Sequence, residues 1–240
     1  MIGCEADACL SLDYRDKRLR TSLLIETEGK TILVDPGPDF RQQMLRHRVK
    51  RIDAILVTHE HKDHIAGLDD VRAYNYIQHS SMPLYAYARV LNHIKTEFAY
   101  AFSEKKYPGT PTIDLIEVDN GPTEIAGLPF QIFEVMHARL PVLAFRLFDF
   151  VYVTDANFIS EDSYSVIAGC DTMVLNALQR EPHPSHFTLE EALQVMERTS
   201  PKSGYFTHIA FRLGRHAEVS AQLPSHIHLA HDAMVLRLGQ

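Results

Sequence analysis

A chain of 240 residues, 45% of them hydrophobic, can bury a sizeable core and falls in the size range of one large or two small domains. Its 24 lysines and arginines against 31 acidic residues leave a formal charge of -7, which excludes a general electrostatic attraction to nucleic acid or an anionic membrane. Three cysteines do not make a secreted disulfide framework, and the opening MIGCEADACLSLDYRDKR has no hydrophobic signal core. Charged residues interrupt every apolar stretch before it reaches spanning length, so a soluble, cytoplasmic protein without a membrane partner is expected. With no internal repeat or long linker, the chain reads as a single domain over 1–240.

Thr21 to Glu26 and Lys30 to Asp35 are β-prone runs around Glu28-Gly29 and predict a hairpin, followed by a loop at Pro36-Gly37-Pro38. Phe40, Met44 and Leu45 give Asp39 to Arg48 helical spacing, and Ile52 to Val57 is short, branched and apolar, a buried strand. Helices are expected over Asp69 to Ile77 and Arg89 to Phe98, with a short strand Leu84 to Ala86 between them and a loop at Pro108 to Pro111. Strands follow at Ile113 to Val118, Phe130 to Val135, Leu143 to Leu147, Val151 to Thr154 and Thr172 to Asn176. Thr188 with Glu191 forms a capping box opening a helix that runs to Pro201. Tyr205 to Thr207, a helix near Arg215 to Leu223, Ile227 to Leu229 and a last strand Met234 to Leu238 complete the reading. Strand-rich halves with interspersed helices predict an α/β sandwich of two sheets covered by helices.

The chemistry concentrates in Thr58-His59-Glu60-His61-Lys62-Asp63-His64, directly after a buried strand, where α/β folds place ligand sites. Imidazole and carboxylate donors suit zinc, manganese, iron or nickel, and so many donors so close together cannot all reach one ion without strain, so two adjacent ions are expected.

This motif resembles the His-x-His-x-Asp-His signature of metallo-β-lactamase-fold hydrolases, and KRLRTSLLIE, ILVDPGPDFRQQM, FEVMHARLPVLAFRL, VYVTDANFI, YFTHIAFRLGRHAEV and LAHDAMVL extend the resemblance along nearly the whole chain. It is nearest to the phosphodiesterase branch containing phosphoribosyl 1,2-cyclic phosphodiesterase and, more distantly, ribonuclease Z. The resemblance implies an αββα sandwich of two mixed sheets. It implies that His59, His61 and His137 bind one divalent ion and Asp63, His64 and His231 a second, with Asp155 bridging them. A hydroxide bridging the ions would attack a small cyclic or nucleotide-like phosphate diester, steered by Asp63, while His208 either protonates the leaving group or stands behind the ligands as a hydrogen-bond partner. His183 and His186 either line the substrate mouth or cap the helix that follows. Arg18, Arg20 and Arg212 either contact phosphate or form surface salt bridges, the salt bridge being the expectation for Arg18. The resemblance also implies a homodimer.

The sequence departs from that branch in three places. Cys4 and Cys9 stand where the branch often has a three-cysteine structural zinc site, and two thiolates do not fill zinc's four-coordinate shell. The family's opening strand and glycine-rich turn would precede Gly3: either the recorded start lies downstream of the true one, or a sheet edge is left unpaired and open to association. Phe211 stands where relatives often have a second histidine. Two alternatives remain open: hydrolysis of an acyl or thioester bond, and a metal-binding protein without catalysis. Nucleic acid is not expected as substrate, for want of a basic arm or aromatic-interleaved patch.

Overall fold

The computed structural model describes residues 2–105 and 107–239; Met1 and Gln240, the ends of the expected single domain, and Lys106 lie outside the described residues. The chain divides into two compact units, Arg20–Pro129 and Met1–Leu19 together with Phe130–Gln240. A short helix α1 (Asp7–Leu10) lies in the discontinuous unit.

The Arg20–Pro129 unit opens on β1 (Leu23–Thr27) and β2 (Lys30–Val34). They are antiparallel, with Thr27 opposite Lys30. The two-residue turn puts Glu28 and Gly29 at φ 49° and 71°, the left-handed pair that matches strand twist. Then come α2 (Phe40–His47), β3 (Ala54–Leu56), α3 (Lys62–Ile65), α4 (Arg72–Gln78), β4 (Met82–Ala86), α5 (Ala88–Glu97), α6 (Ala99–Phe102), β5 (Ile113–Glu117) and β6 (Gly121–Ile125). Strands β1 to β5 form one mixed sheet in chain order, with β2 to β5 parallel. Its core includes Leu33, Ile55, Leu84, Val90 and Ile94.

The other unit carries β7 (Leu128–His137), β8 (Leu140–Leu147), β9 (Phe150–Val153), α7 (Glu161–Ile167), β10 (Thr172–Asn176), α8 (Leu189–Thr199), β11 (Ser203–Thr207), α9 (His216–Ser220) and β12 (Ile227–Leu229). Its strands run β12-β11-β10-β9-β8-β7. The pairs β7–β8 and β8–β9 are antiparallel, and β9 to β12 are mutually parallel. Val135, Val153, Leu175 and Phe206 of these strands share a core with Ala192 and Val195 of α8. The expected pair of mixed sheets flanked by helices is therefore present. Thr188 accepts from the Glu191 backbone N–H while the Glu191 carboxylate accepts from the Thr188 N–H, so the predicted capping box opens α8.

One predicted strand is absent, and β6 and α7 are among the elements the sequence reading did not anticipate. Met234 to Leu238 forms no strand: Ala233 at φ 67° and a Met234 N–H to His231 carbonyl bond turn the chain, and Val235 remains exposed. Strand propensity yields a strand only where a ladder partner is within reach. β6 went unanticipated because Gly121 and Pro122 read as breakers, yet Pro is tolerated in an edge strand such as this one. The signal for α7 was Ser160, whose hydroxyl caps the Ser163 N–H ahead of Glu161 and Asp162 in the first turn.

Candidate metal centre

In the Arg20–Pro129 unit the donors are contiguous. β3 ends at Leu56, and the chain passes through Thr58, His59, Glu60 and His61 before α3 begins at Lys62, so Asp63 and His64 sit on a helical turn rather than in open loop. Asp35, the first residue after β2, organises this segment. It is fully buried at φ 56° and accepts from the Thr58 N–H and the Thr58 hydroxyl, each at 2.8 Å. His64 Nδ1 also meets its Oδ2 at 2.8 Å. With the proton on Nδ1 pointing at a carboxylate, the lone pair of His64 lies on Nε2, the arrangement of metal-binding imidazoles. The rings of His61 and His64 stand 4.6 and 4.2 Å from that of His59.

Two glycines make this packing possible. A Cβ on Gly37 would come 2.2 Å from the Asp63 carbonyl oxygen, and one on Gly67 would come 2.2 Å from the Gly37 carbonyl oxygen. The spacer residues of the motif are anchored too: Glu60 pairs with Arg89 and Lys62 with Glu97, both on α5. Arg20 holds its guanidinium 3.6 Å from Asp63 Oδ2.

In the other unit the donors are dispersed, and strand polarity gathers them. The parallel register aligns Val153 with Leu175, Leu175 with Phe206, and Phe206 with Leu229. Asp155, His208 and His231, each two residues beyond one of these positions, therefore emerge at one sheet edge with Asn176. β7 is antiparallel to β8 and β8 to β9, so the C-terminal end of β7, which carries His137, reaches that edge as well. Asp155 and His208 both take left-handed φ, 55° and 52°, uncommon for non-glycine residues and frequent at functional sites. Asn176, fully buried, clamps the loop after β9: its Oδ1 accepts from the Ala156 N–H at 2.7 Å and its Nδ2 donates to the Ala156 carbonyl at 2.9 Å.

His137, Asp155 and His186 each bring a ligand atom within 4.8 Å of the other two. His137 Nδ1 lies 2.7 Å from the Ser185 carbonyl, which places its proton there and its lone pair on Nε2. His208 Nε2 stands 3.3 Å from Asp155 Oδ2, and its ring stacks on His186 at 4.9 Å. Burial pushes the pKa of His186 down to about 3 and lowers that of His183, so both are neutral imidazoles at physiological pH. Since Thr188 and Glu191 cap α8, His183 and His186 do not have that role.

His231 stands apart from the His137–Asp155–His186 cluster. Its Nδ1 meets the Asp232 carbonyl at 2.9 Å, which leaves the lone pair on Nε2, and its ring is edge-on to Tyr14 and His216 at 5.5 and 5.7 Å. Arg18 is ion-paired as expected but mostly buried rather than on the surface, 3.6 Å from Asp16 and 3.2 Å from His216 Nδ1. Arg212 lies over the Phe211 ring at 5.7 Å. Cys4 and Cys9 are thiols hydrogen-bonded to each other, a contact that lowers the pKa of Cys4 and raises that of Cys9. Asp35 and Asn176 were missed by sequence reasoning. The available signal was a polar residue directly ending an apolar strand, ILV-Asp and VL-Asn.

The family model of the beta-lactamase superfamily domain matches residues 30–209, which contain most of these donors. The chain belongs to the metallo-β-lactamase superfamily, on its phosphodiesterase-like branch. Among solved structures, a diphosphatase of the PhnP family superposes on this superfamily member with a TM-score of 0.92 at 36% identity, covering 99% of this chain and 92% of that one. A Porphyromonas gingivalis protein named octanoyltransferase is 38% identical over 236 residues, 97% of this chain and 48% of that protein, so the chain spans about half of that relative's length. A ribonuclease Z of Bradyrhizobium diazoefficiens is 43% identical over 54 residues, 22% of this chain and 18% of that protein. This protein thus has the metallo-β-lactamase fold, is similar to proteins named diphosphatase and ribonuclease Z, and carries histidine–aspartate clusters able to bind metal. Among the described residues no helix is long and apolar enough to cross a membrane.

Proposed function

We propose that the chain is a phosphodiesterase for a small phosphate diester and that its two donor sets serve one pair of divalent cations, zinc or manganese. His59, His61, His137 and Asp155 would hold one ion, and Asp63, His64, His231 and Asp155 the other. The donor chemistry fits: His64, His137 and His231 each carry the proton on Nδ1 and offer Nε2, and carboxylates accompany them. Such ions, when bound, bring a water molecule toward neutral pKa and neutralise phosphoryl charge.

The observation that carries the reading is the Asp155–His208 pair, an imidazole held 3.3 Å from a buried carboxylate on left-handed backbone at a donor-rich strand edge. His208 Nε2, set against that carboxylate, is the atom we assign to hand a proton to the leaving oxygen. Water adds to phosphorus and releases one proton to solvent, the bond to the leaving oxygen breaks, and that oxygen takes a proton from His208. Asp63 orients the attacking water, and Arg20, already beside Asp63, offers paired donors to a phosphoryl oxygen. A net charge of -7 favours a compact ligand drawn in locally over a long polyanion.

The test is metal content together with bis(p-nitrophenyl) phosphate hydrolysis by the wild type, Asp63→Ala and His208→Ala. Two metals per chain and a loss of about 10²- to 10⁴-fold in turnover for His208→Ala, with binding much less affected, are expected. A second reading, hydrolysis of an acyl bond, is favoured by the relative named octanoyltransferase. Metal-replete protein that cleaves acyl thioesters and leaves the phosphodiester intact would establish it in place of the first. Two metals with neither activity would point to a binding protein.

A further inference from the structure

His186 has no place in the ligand set that the resemblance implies, yet packing alone does not account for it. It is 8% exposed, and its Nδ1 is buried without a hydrogen-bond partner among the described residues. A buried polar atom left unpaired costs about 1–3 kcal/mol, and a histidine retained only for packing would ordinarily find a carbonyl or a hydroxyl. Its surroundings offer something else. The ring stands 4.5 Å from His137, 5.0 Å from His183 and 4.9 Å from His208, around the one carboxylate of Asp155. Imidazoles gathered around one carboxylate offer few proton donors to one another, and a cation can satisfy their lone pairs.

We infer that His186 is an additional ligand to the cation held by His137 and Asp155. The three residues place their donor atoms within 4.8 Å of one another, all inside one compact unit. The buried Nδ1 supplies the donor, and the cation satisfies it. Three protein donors with room for solvent is the count that catalytic zinc sites use. Counted with His59 and His61, the same ion would have five protein donors, which favours an ion that accepts more than four ligands, such as manganese or iron, over tetrahedral zinc. His186 would thus set which metal this site prefers. The inference rests on the two-cation reading above.

The experiment uses the full chain, stripped of metal and titrated with Co²⁺, whose visible absorption is intense when four-coordinate and weak at higher coordination. Wild type, His186→Ala and His186→Asp are compared by equilibrium dialysis and by that spectrum. His186→Ala is expected to bind the cobalt about tenfold or more weakly and to gain absorption intensity, while His186→Asp, which restores a ligand atom, recovers affinity. Unchanged affinity and spectrum in His186→Ala would overturn the inference while leaving the two-cation reading intact. A wild type that takes up no cobalt would overturn both. Cobalt uptake with the expected His186 effects but no phosphodiester turnover would remove only the proposed activity.

Discussion

The two units solve one problem in opposite ways. In Arg20–Pro129 the donors form a single run, His59 to His64, and one buried carboxylate, Asp35, ties the segment to the end of β2. In the other unit His137, Asp155, His186, His208 and His231 are scattered over nearly a hundred residues of sequence, and the parallel ends of separate strands collect most of them. There the lock is a neutral amide, Asn176, which clamps the loop after Asp155. A contiguous set needs a local brace. A dispersed set needs the whole sheet in register, and its brace only trims one loop.

Replacing each brace tests that contrast. Asp35→Ala should have the largest effect, because it strands the buried Thr58 N–H and removes the acceptor of His64 Nδ1, the Thr58 hydroxyl keeping His59 Nδ1 as a partner at 3.1 Å. At about 1–3 kcal/mol for each of these two unpaired buried groups, roughly 2–6 kcal/mol of stability is expected to go, read as a lower urea midpoint. Metal affinity should drop in the same variant, since His64 loses its orientation. If the midpoint hardly moved, Asp35 would not be the brace. Asn176→Ala should cost less, roughly 1–3 kcal/mol, by leaving the Ala156 N–H unpaired while the Ala156 carbonyl keeps the Phe187 N–H, and turnover should fall with it because Asp155 is adjacent. Equal effects on the two halves, measured by amide exchange in each, would erase the distinction between a local brace and a trimmed loop. Thr188→Ala is the smallest perturbation. It removes the cap of α8, which carries no donor, and should lower stability by about 1 kcal/mol without changing metal affinity. A change in metal binding in that variant would mean that α8 communicates with the donors, contrary to the picture of register alone.

Legibility in the sequence follows the same division. The His59-to-His64 run was readable because its donors are adjacent and follow an apolar strand, and adjacency survives unfolding. His137, Asp155, His208 and His231 could be nominated only through resemblance, helped by their positions after predicted strands. His186 had a role left open, because nothing local separates a histidine that caps a helix from one that turns inward. Asp35 and Asn176 were invisible as braces: an aspartate or asparagine ending a strand is commonplace, and only the partners reveal its work. Most strands and helices were legible within a few residues, since their apolar periodicity and the Thr188 cap are local facts. Met234 to Leu238 failed because strand formation needs a neighbour.

The sequence by itself therefore determined the period of each element, the turn at Glu28-Gly29, the α8 cap and the presence of a histidine–aspartate cluster behind a strand. Each depends on interactions a few residues apart, whose closure entropy is small and whose outcome distant chain rarely overrides. Tertiary structure alone decided that Asp35 braces His64 across 29 residues, that parallel ladders bring Asp155, His208 and His231 to one edge, and that His186 ends buried beside His137. Those outcomes depend on sheet register and burial, which are properties of the assembled chain and belong to no single segment of it.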